Sequence, residues 1–505
     1  MITIQCSNSI LTLARSKRYI LPVFSLSKME LGHSKNLNIM IFSHSIVKTS
    51  VERPKIGVIY ASRLALPAEA IRKEVSSELE ARYRTFIQKI ENVLKRFFPE
   101  VEFIYEYVSS SSDSMNVIRR TKDVVGYIVF AFEHPTGYLR TIMRSGKPTI
   151  VIAYTYVGAG ELLQSYPKAV EEGYPVIGVT VRDVTNSDRI RKYVNYLLTI
   201  HRLKSSNILL IVSPVTKQYL DVGYPLAIDV YGMMSDVNRT FGINVSAMSI
   251  NQFKKIYYET VSEDEARRIA EKWFNEAETV IAHSKEELVK PAKLYLAFKK
   301  LIEDLKLDAI AIDCITLYHA GFLDTWPCLA FMELTKEGIV CGCEADLYST
   351  VVMLLMKYLA NVPGFINDPS PDMDKNEIIY YHCYAPINLL GFETKTLLPY
   401  VITPAHWGTK KLSINVSFPV GVTMTSVGID ARNKIISVHT AKILGNEKGP
   451  EECSTKVVGK VSTKTILEKW NPEAGWHRVL FYGDHREDIK AIAKLLGLKT
   501  VEEDM

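Results

Sequence analysis

The chain has 505 residues, 47% hydrophobic and 23% charged, with a formal net charge of +5 at neutral pH. At roughly 100–200 residues per domain, that length suggests about three domains, and the composition excludes a disordered, collagen-like or disulfide-stapled chain. So small a positive excess makes no strong field, and nucleic acid is not expected as a partner.

No uncharged apolar run reaches the ~18 residues of a membrane span. The most apolar helical stretch, Thr350–Ala360, is short and carries Lys357, so no membrane partner is expected. Seven cysteines are few and odd in number, and no secretory leader pattern is seen, which fits a reducing cytoplasm.

Residues 1–53 are basic and serine-containing, and their apolar positions keep no sustained period. They read as an appendage open to disorder. A transit peptide and a translation start at Met29 or Met40 both account for that character.

From Lys55 onward, short β-branched runs alternate with longer amphipathic ones, the pattern of parallel strands covered by helices. Strands are expected at Ile56–Tyr60, Glu102–Tyr107, Val124–Phe130, Thr149–Ala153 and Pro175–Val179. One long helix is expected over Ala68–Phe98, where Leu79, Phe86, Ile90 and Leu94 recur at three- or four-residue steps, and another at Tyr193–Leu203. Residues 54–204 thus form an N-terminal α/β domain.

A hinge of small polar residues follows Lys204, and a second α/β domain spans 205–390. Its strands include Ile208–Val212 and Ala309–Cys314, and its helices Glu263–Asn275, Glu286–Leu305 and Leu347–Ala360. After about Leu390, alternating runs with glycines and prolines between them replace the long helices, so residues 391–505 read as a mostly antiparallel β domain or small barrel. One strand–helix element, Val479–Tyr482 then Asp484–Leu496, closes the chain.

No G-x-G-x-x-G follows the first strand, where Ala61-Ser62-Arg63-Leu64 stands instead, which disfavours a dinucleotide site and a nicotinamide-dependent dehydrogenase. P-loop and G-x-S-x-G motifs are absent. Cys341-x-Cys343 has too short a spacing for comfortable zinc ligation by both thiols, and buried thiols are the better reading.

Carboxylates cluster between 308 and 385. Asp313 and Asp368 end apolar strands, while Glu344 and Asp346 head an apolar helix. Open α/β sheets hold their ligands at such strand ends and helix starts. Asp368, before Pro369, is expected at the carboxyl edge of its strand; a helix cap or turn is the plain alternative for any one of these groups. His477 stands just before an apolar strand and His485 just after it.

Four blocks, Cys343-Glu344-Ala345-Asp346-Leu347-Tyr348-Ser349, Phe365-Ile366-Asn367-Asp368-Pro369, Tyr381-His382-Cys383-Tyr384-Ala385-Pro386 and Trp476-His477-Arg478-Val479-Leu480-Phe481-Tyr482-Gly483, together resemble the L-fucose isomerase family in its shorter archaeal-type branch. That resemblance implies two Rossmann-like α/β domains and a C-terminal β domain. It also implies an aldose–ketose isomerase of a fucose- or arabinose-like sugar, working through an ene-diol. By the same resemblance, Glu344, Asp368 and His477 hold Mn²⁺ or another divalent ion such as Mg²⁺ or Co²⁺, and Glu344 and Asp368 serve as acid and base. Tyr348, His382, Asn388 and Trp476 are candidates to line the monosaccharide pocket, with Trp476 standing where larger bacterial members commonly carry an amide. The resemblance further implies a homo-oligomer, a trimer or hexamer. A non-catalytic cytoplasmic sugar-binding or sensor protein on the same fold is the competing class.

Overall fold

A computed structural model describes residues 53–133, 137–213, 230–282, 284–405, 411–449 and 453–505. Apart from Arg53, the N-terminal appendage lies outside the described residues. The chain is mixed α/β, with parallel sheets first and a mostly antiparallel sheet toward the C-terminus.

The first sheet is all parallel: β1 (Lys55–Ala61), β2 (Glu102–Val108), β3 (Tyr127–Ala131), β4 (Thr149–Tyr154) and β5 (Val176–Val181), in the order β2-β1-β3-β4-β5. β1, β3 and β4 are almost wholly buried, as continuous apolar runs covered on both faces should be. The stretch Ala68–Phe98, expected as one helix, is two: Ala68–Glu74 and Ser77–Phe97. Val75 is extended, and the Ser76 hydroxyl accepts from the Leu79 N–H to cap the second helix. The apolar period runs across the break, so only the capping serine marks it.

Glu161, in the first turn of the helix Ala159–Glu171, is buried. One carboxylate oxygen accepts from the Leu139 N–H at 3.0 Å, while the other has no hydrogen bond among the described residues. Burial raises its pKa to about 7, against the opposing pull of the Leu139 and Gly137 N–H groups. The folded chain therefore binds a proton here that the unfolded chain has already lost between pH 4.5 and about 7, so stability falls as pH rises through that window. Glu161→Gln, neutral at every pH, should remove up to about 3 kcal/mol of this penalty at pH 8 and nothing below the unfolded pKa. Unfolding measured from pH 4 to 8 checks this: the gap between variant and parent should widen with pH, and a constant gap would contradict it.

The second parallel sheet holds β6 (Asn207–Val212), β7 (Asn244–Ser249), β9 (Ala309–Ile312) and β10 (Val340–Gly342), in the order β10-β9-β6-β7. A small three-stranded sheet contains β8 (Thr279–Val280), β13 (Tyr400–Pro404) and β14 (Leu412–Val416).

The remaining strands are β11 (Phe365–Asp372), β12 (Glu377–His382), β15 (Thr423–Asp430), β16 (Ile435–Asn446), β17 (Thr455–Lys460), β18 (Arg478–Tyr482) and β19 (Lys499–Glu502). Their order is β15-β18-β11-β12-β17-β16-β19, and β15 also pairs with β16. Six antiparallel strands therefore close on themselves, and β19 adds in parallel to β16. The interval 205–390 thereby contributes β11 and β12 to the sheet whose strand β18 begins just after His477.

Asp368, expected at the carboxyl end of its strand, instead lies within β11, which continues through Pro369 and Pro371 to Asp372. The pairing explains the difference. β18 pairs with β11 over Phe365–Asn367 and β12 over Asp368–Asp372, so beyond Asn367 the β18 side of β11 lacks that partner. Prolines two residues apart withhold their N–H on one edge, and an edge without a partner loses no ladder bond.

The helix Leu347–Ala360 is buried along almost its whole length. A helix apolar all round belongs between layers, and this one packs against β10, β15 and the helix Ser187–Lys204. Gly342 permits the close approach: a Cβ there would lie 2.1 Å from Thr350 Oγ1. Among the described residues no helix is long and apolar enough to cross a membrane.

Candidate metal centre

Glu344 follows β10 by two residues, at the carboxyl edge of the second parallel sheet, where topology makes a crevice. Glu344 and Ala345 both adopt left-handed backbone, with φ of 57° and 52°. For side chains other than glycine this costs roughly 1–2 kcal/mol per residue, and such strain gathers where a side chain must be aimed. The turn is held by the Ala345 N–H bonding to the Ile312 carbonyl at 2.9 Å and the Asp346 N–H to the Cys343 carbonyl at 2.9 Å.

Asp346 then caps the helix Leu347–Ala360, accepting from the Ser349 N–H at 2.9 Å and the Ser349 hydroxyl at 2.6 Å. Its Oδ2 also faces His477 Nδ1 at 2.9 Å. That contact fixes the ring so that Nε2 points the other way, toward Asp368 Oδ1 at 3.2 Å and Glu344 Oε2 at 3.7 Å. The ladder explains the meeting: extending the β11–β18 register one step past Asn367–Arg478 sets Asp368 opposite His477.

His382, at the end of β12, completes the group. Its Nε2 lies 3.6 Å from Glu344 Oε1, and its ring stands edge-on to that of His477 at 5.3 Å between centroids. One ligand atom each from Glu344, His382 and His477 fits within 4.8 Å of the others. His382 is only 1% exposed, yet neither ring nitrogen has a hydrogen bond among the described residues. An imidazole left so is expensive, and a cation between it and Glu344 would satisfy it.

Charge points the same way. Burial opposes a charged His477, but hydrogen bonds to Asp346 and Asp368 and the field of Glu344 outweigh it and raise its pKa well above the usual imidazole range. The carboxylates thus gather positive charge at this point, and a divalent ion competes for it with the proton. Two carboxylates and two imidazoles form a hard-to-borderline donor set suited to a first-row divalent ion.

The sequence marks Asp346 only as a carboxylate heading a helix, although a carboxylate on the second nitrogen of a ligating histidine is the usual arrangement. Asp346→Asn should keep the helix cap, since Asn caps as well as Asp, and lower divalent-cation affinity about 10–100-fold. Titration with Mn²⁺ checks this, and unchanged affinity would contradict it.

The other pocket candidates scatter. Trp476, adjacent to His477, is 53% exposed and open to a ligand. Tyr348 is buried, with its hydroxyl 3.4 Å from Asp236 Oδ2. Asn388 is buried and donates to the Thr335 carbonyl at 3.3 Å, with no hydrogen bond to the cluster among the described residues. Asp313 caps the helix Cys314–His319 through the Thr316 N–H; its pKa is raised by burial, with Glu344 adding to the rise. The His485 ring meets the Tyr482 carbonyl.

Behind the cluster lie buried thiols. Contact with Cys314 and burial push the Cys343 thiol well above its usual value, and the sulfurs of Cys383 and Cys453 are 3.4 Å apart. A thiol raised as Cys343 is stays protonated and inert.

No family model matches the chain. It is 24% identical over 242 residues to the sulfoquinovose isomerases of Priestia aryabhattai and Priestia megaterium, a match covering 46% of this chain and 53% of each relative. The chain thus spans about half the length of the curated relatives it matches. The match is a weak likeness to sugar isomerases over that half.

Proposed function

We propose that the chain is a divalent-metal-dependent aldose–ketose isomerase of a monosaccharide. The observation that carries the reading is the convergence of Glu344, Asp368 and His477, with His382 beside them and Asp346 behind His477. The homology to sulfoquinovose isomerases supports the same class of reaction.

Glu344, Asp368, His382 and His477 would hold the ion. When bound, a Mn²⁺-type ion supplies electrostatic stabilisation to the vicinal sugar oxygens as negative charge develops on them. Glu344 and Asp368 move the protons. One takes the proton from C2 of the aldose and the other serves the oxygens, so that C2 loses a proton and C1 gains one while the hydroxyl proton passes from O2 to O1. Each carboxylate ends the cycle as it began. Asp346 keeps His477 Nδ1 engaged so that Nε2 faces the acidic pair, and Trp476 offers the sugar an exposed apolar face.

The substrate range is tested with a panel holding L-fucose, D-arabinose, other aldoses and sulfoquinovose, assayed for ketose after chelation and again after Mn²⁺ is restored. Ketose that appears only with metal supports the reading. Metal binding with no turnover across the panel would favour the sugar-binding alternative, and turnover indifferent to metal would remove the metal from it.

A further inference from the structure

His477 sits at the end of a loop, Asn471–His477, that leads into β18, and the loop is held from within the fold by the next residue. Arg478 is fully buried. Its Nη1 donates to the carbonyls of Gly475 at 3.1 Å and His477 at 2.9 Å, and its Nη2 to that of Asn471 at 3.3 Å. The remaining donors go to Glu503, from Nη2 at 2.7 Å and Nε at 3.2 Å. Every N–H of the guanidinium is therefore used, and its flat face lies 3.6 Å from the Trp470 ring centroid.

The surroundings are built for this one group. Opposite it on β15 stands Gly428, where a Cβ would meet Arg478 Cδ at 2.8 Å. Glu503, two residues from the end of the chain, is also fully buried. It is held by the His439 ring at 2.8 Å and by its own N–H to the Val438 carbonyl at 2.9 Å. The final residues thus reach into the fold and supply the counter-charge for an arginine that grips three carbonyls of the histidine loop.

We propose that Arg478 and Glu503 are positioning residues for the divalent-cation site: the pair fixes the backbone of His477, and through it the direction of Nε2. The role rests on the reading of Glu344, Asp368 and His477 as that site. Lysine keeps the charge of Arg478 but lacks the planar fork, so it cannot hold three carbonyls and a carboxylate at once.

The test uses the full chain and Mn²⁺ alone. Arg478→Lys, Glu503→Gln and Trp470→Leu are compared with the parent by the EPR signal of free Mn²⁺ during titration, with folding followed by circular dichroism at the same temperature. Arg478→Lys and Glu503→Gln should bind Mn²⁺ at least about tenfold more weakly while folded, and the ¹⁴N modulation in the pulsed EPR of bound Mn²⁺ should weaken as His477 loses its place. Trp470→Leu, at a half-buried position, removes the stacking partner while keeping an apolar side chain against the core and should lose affinity by about threefold, scaled down from the same range; it carries the test if either buried change prevents folding. Parent-like affinity and ¹⁴N modulation in the folded variants would overturn the role and leave the cation site standing. Absence of Mn²⁺ binding by the parent would overturn the cation reading, and this role with it.

Discussion

Glu344→Gln should lower the rate of ketose formation by at least about 10³-fold, because general acid–base catalysis alone contributes roughly 10²–10⁴ and this carboxylate would also hold the ion. Glutamine keeps the size and the backbone turn, so the left-handed pair Glu344–Ala345 should persist and the loss should fall on chemistry rather than folding. Glu344 is 20% exposed at its side chain, against 14% for Asp368; both can reach a ligand without being flooded by solvent. Asp368→Asn should act alike, and the double variant should lose little more than either single one, since groups acting as a unit are not additive. Turnover is measured with Mn²⁺ in excess of its affinity for each variant. Activity that survives both changes would remove the proposed acid and base.

The second large effect concerns the cation and the fold. A ligand that binds only the folded chain stabilises it by about 2.7 kcal/mol at a hundredfold excess over its dissociation constant. Mn²⁺ at that concentration should therefore raise the unfolding temperature of the parent, and chelator should reverse the rise. His477→Ala should abolish the rise, because it removes a side chain whose Nε2 faces both Glu344 and Asp368. The metal-free variant should stay folded, since the strands around it are secured by their own ladders and by Arg478. A metal-induced shift in His477→Ala equal to that of the parent would place the ion elsewhere.

Much of the architecture is legible wherever local pattern and burial agree. The helix Leu347–Ala360 has the bounds read from its apolar run and the acidic residues before it, and the first five strands fall within a few residues of their β-branched runs. β7 escapes because Asn244–Ser249 is half-buried and rich in small polar residues, and β10 because three residues are too few to show a period. The closed ring of strands could not be read from any local window: it depends on β15 pairing with both β18 and β16.

The site divides the same way. Glu344, Asp368 and His477 were named from their motifs, and the fold brings their side chains together. His382 was expected only as a pocket wall. Its approach to Glu344 follows from β12 pairing beside β11, a contact between strands that no sequence spacing reveals. Asp346 carries an N-cap signature that hides its contact with His477, and Arg478 looks like any strand arginine until Glu503 arrives from the chain end.

The most direct test is a crystal of the full chain grown with Mn²⁺ and measured at the manganese absorption edge. One anomalous peak coordinated by Glu344, Asp368 and His477 is the predicted result, with His382 within reach of the same ion. A peak away from these side chains, or none at saturating Mn²⁺, would contradict the account.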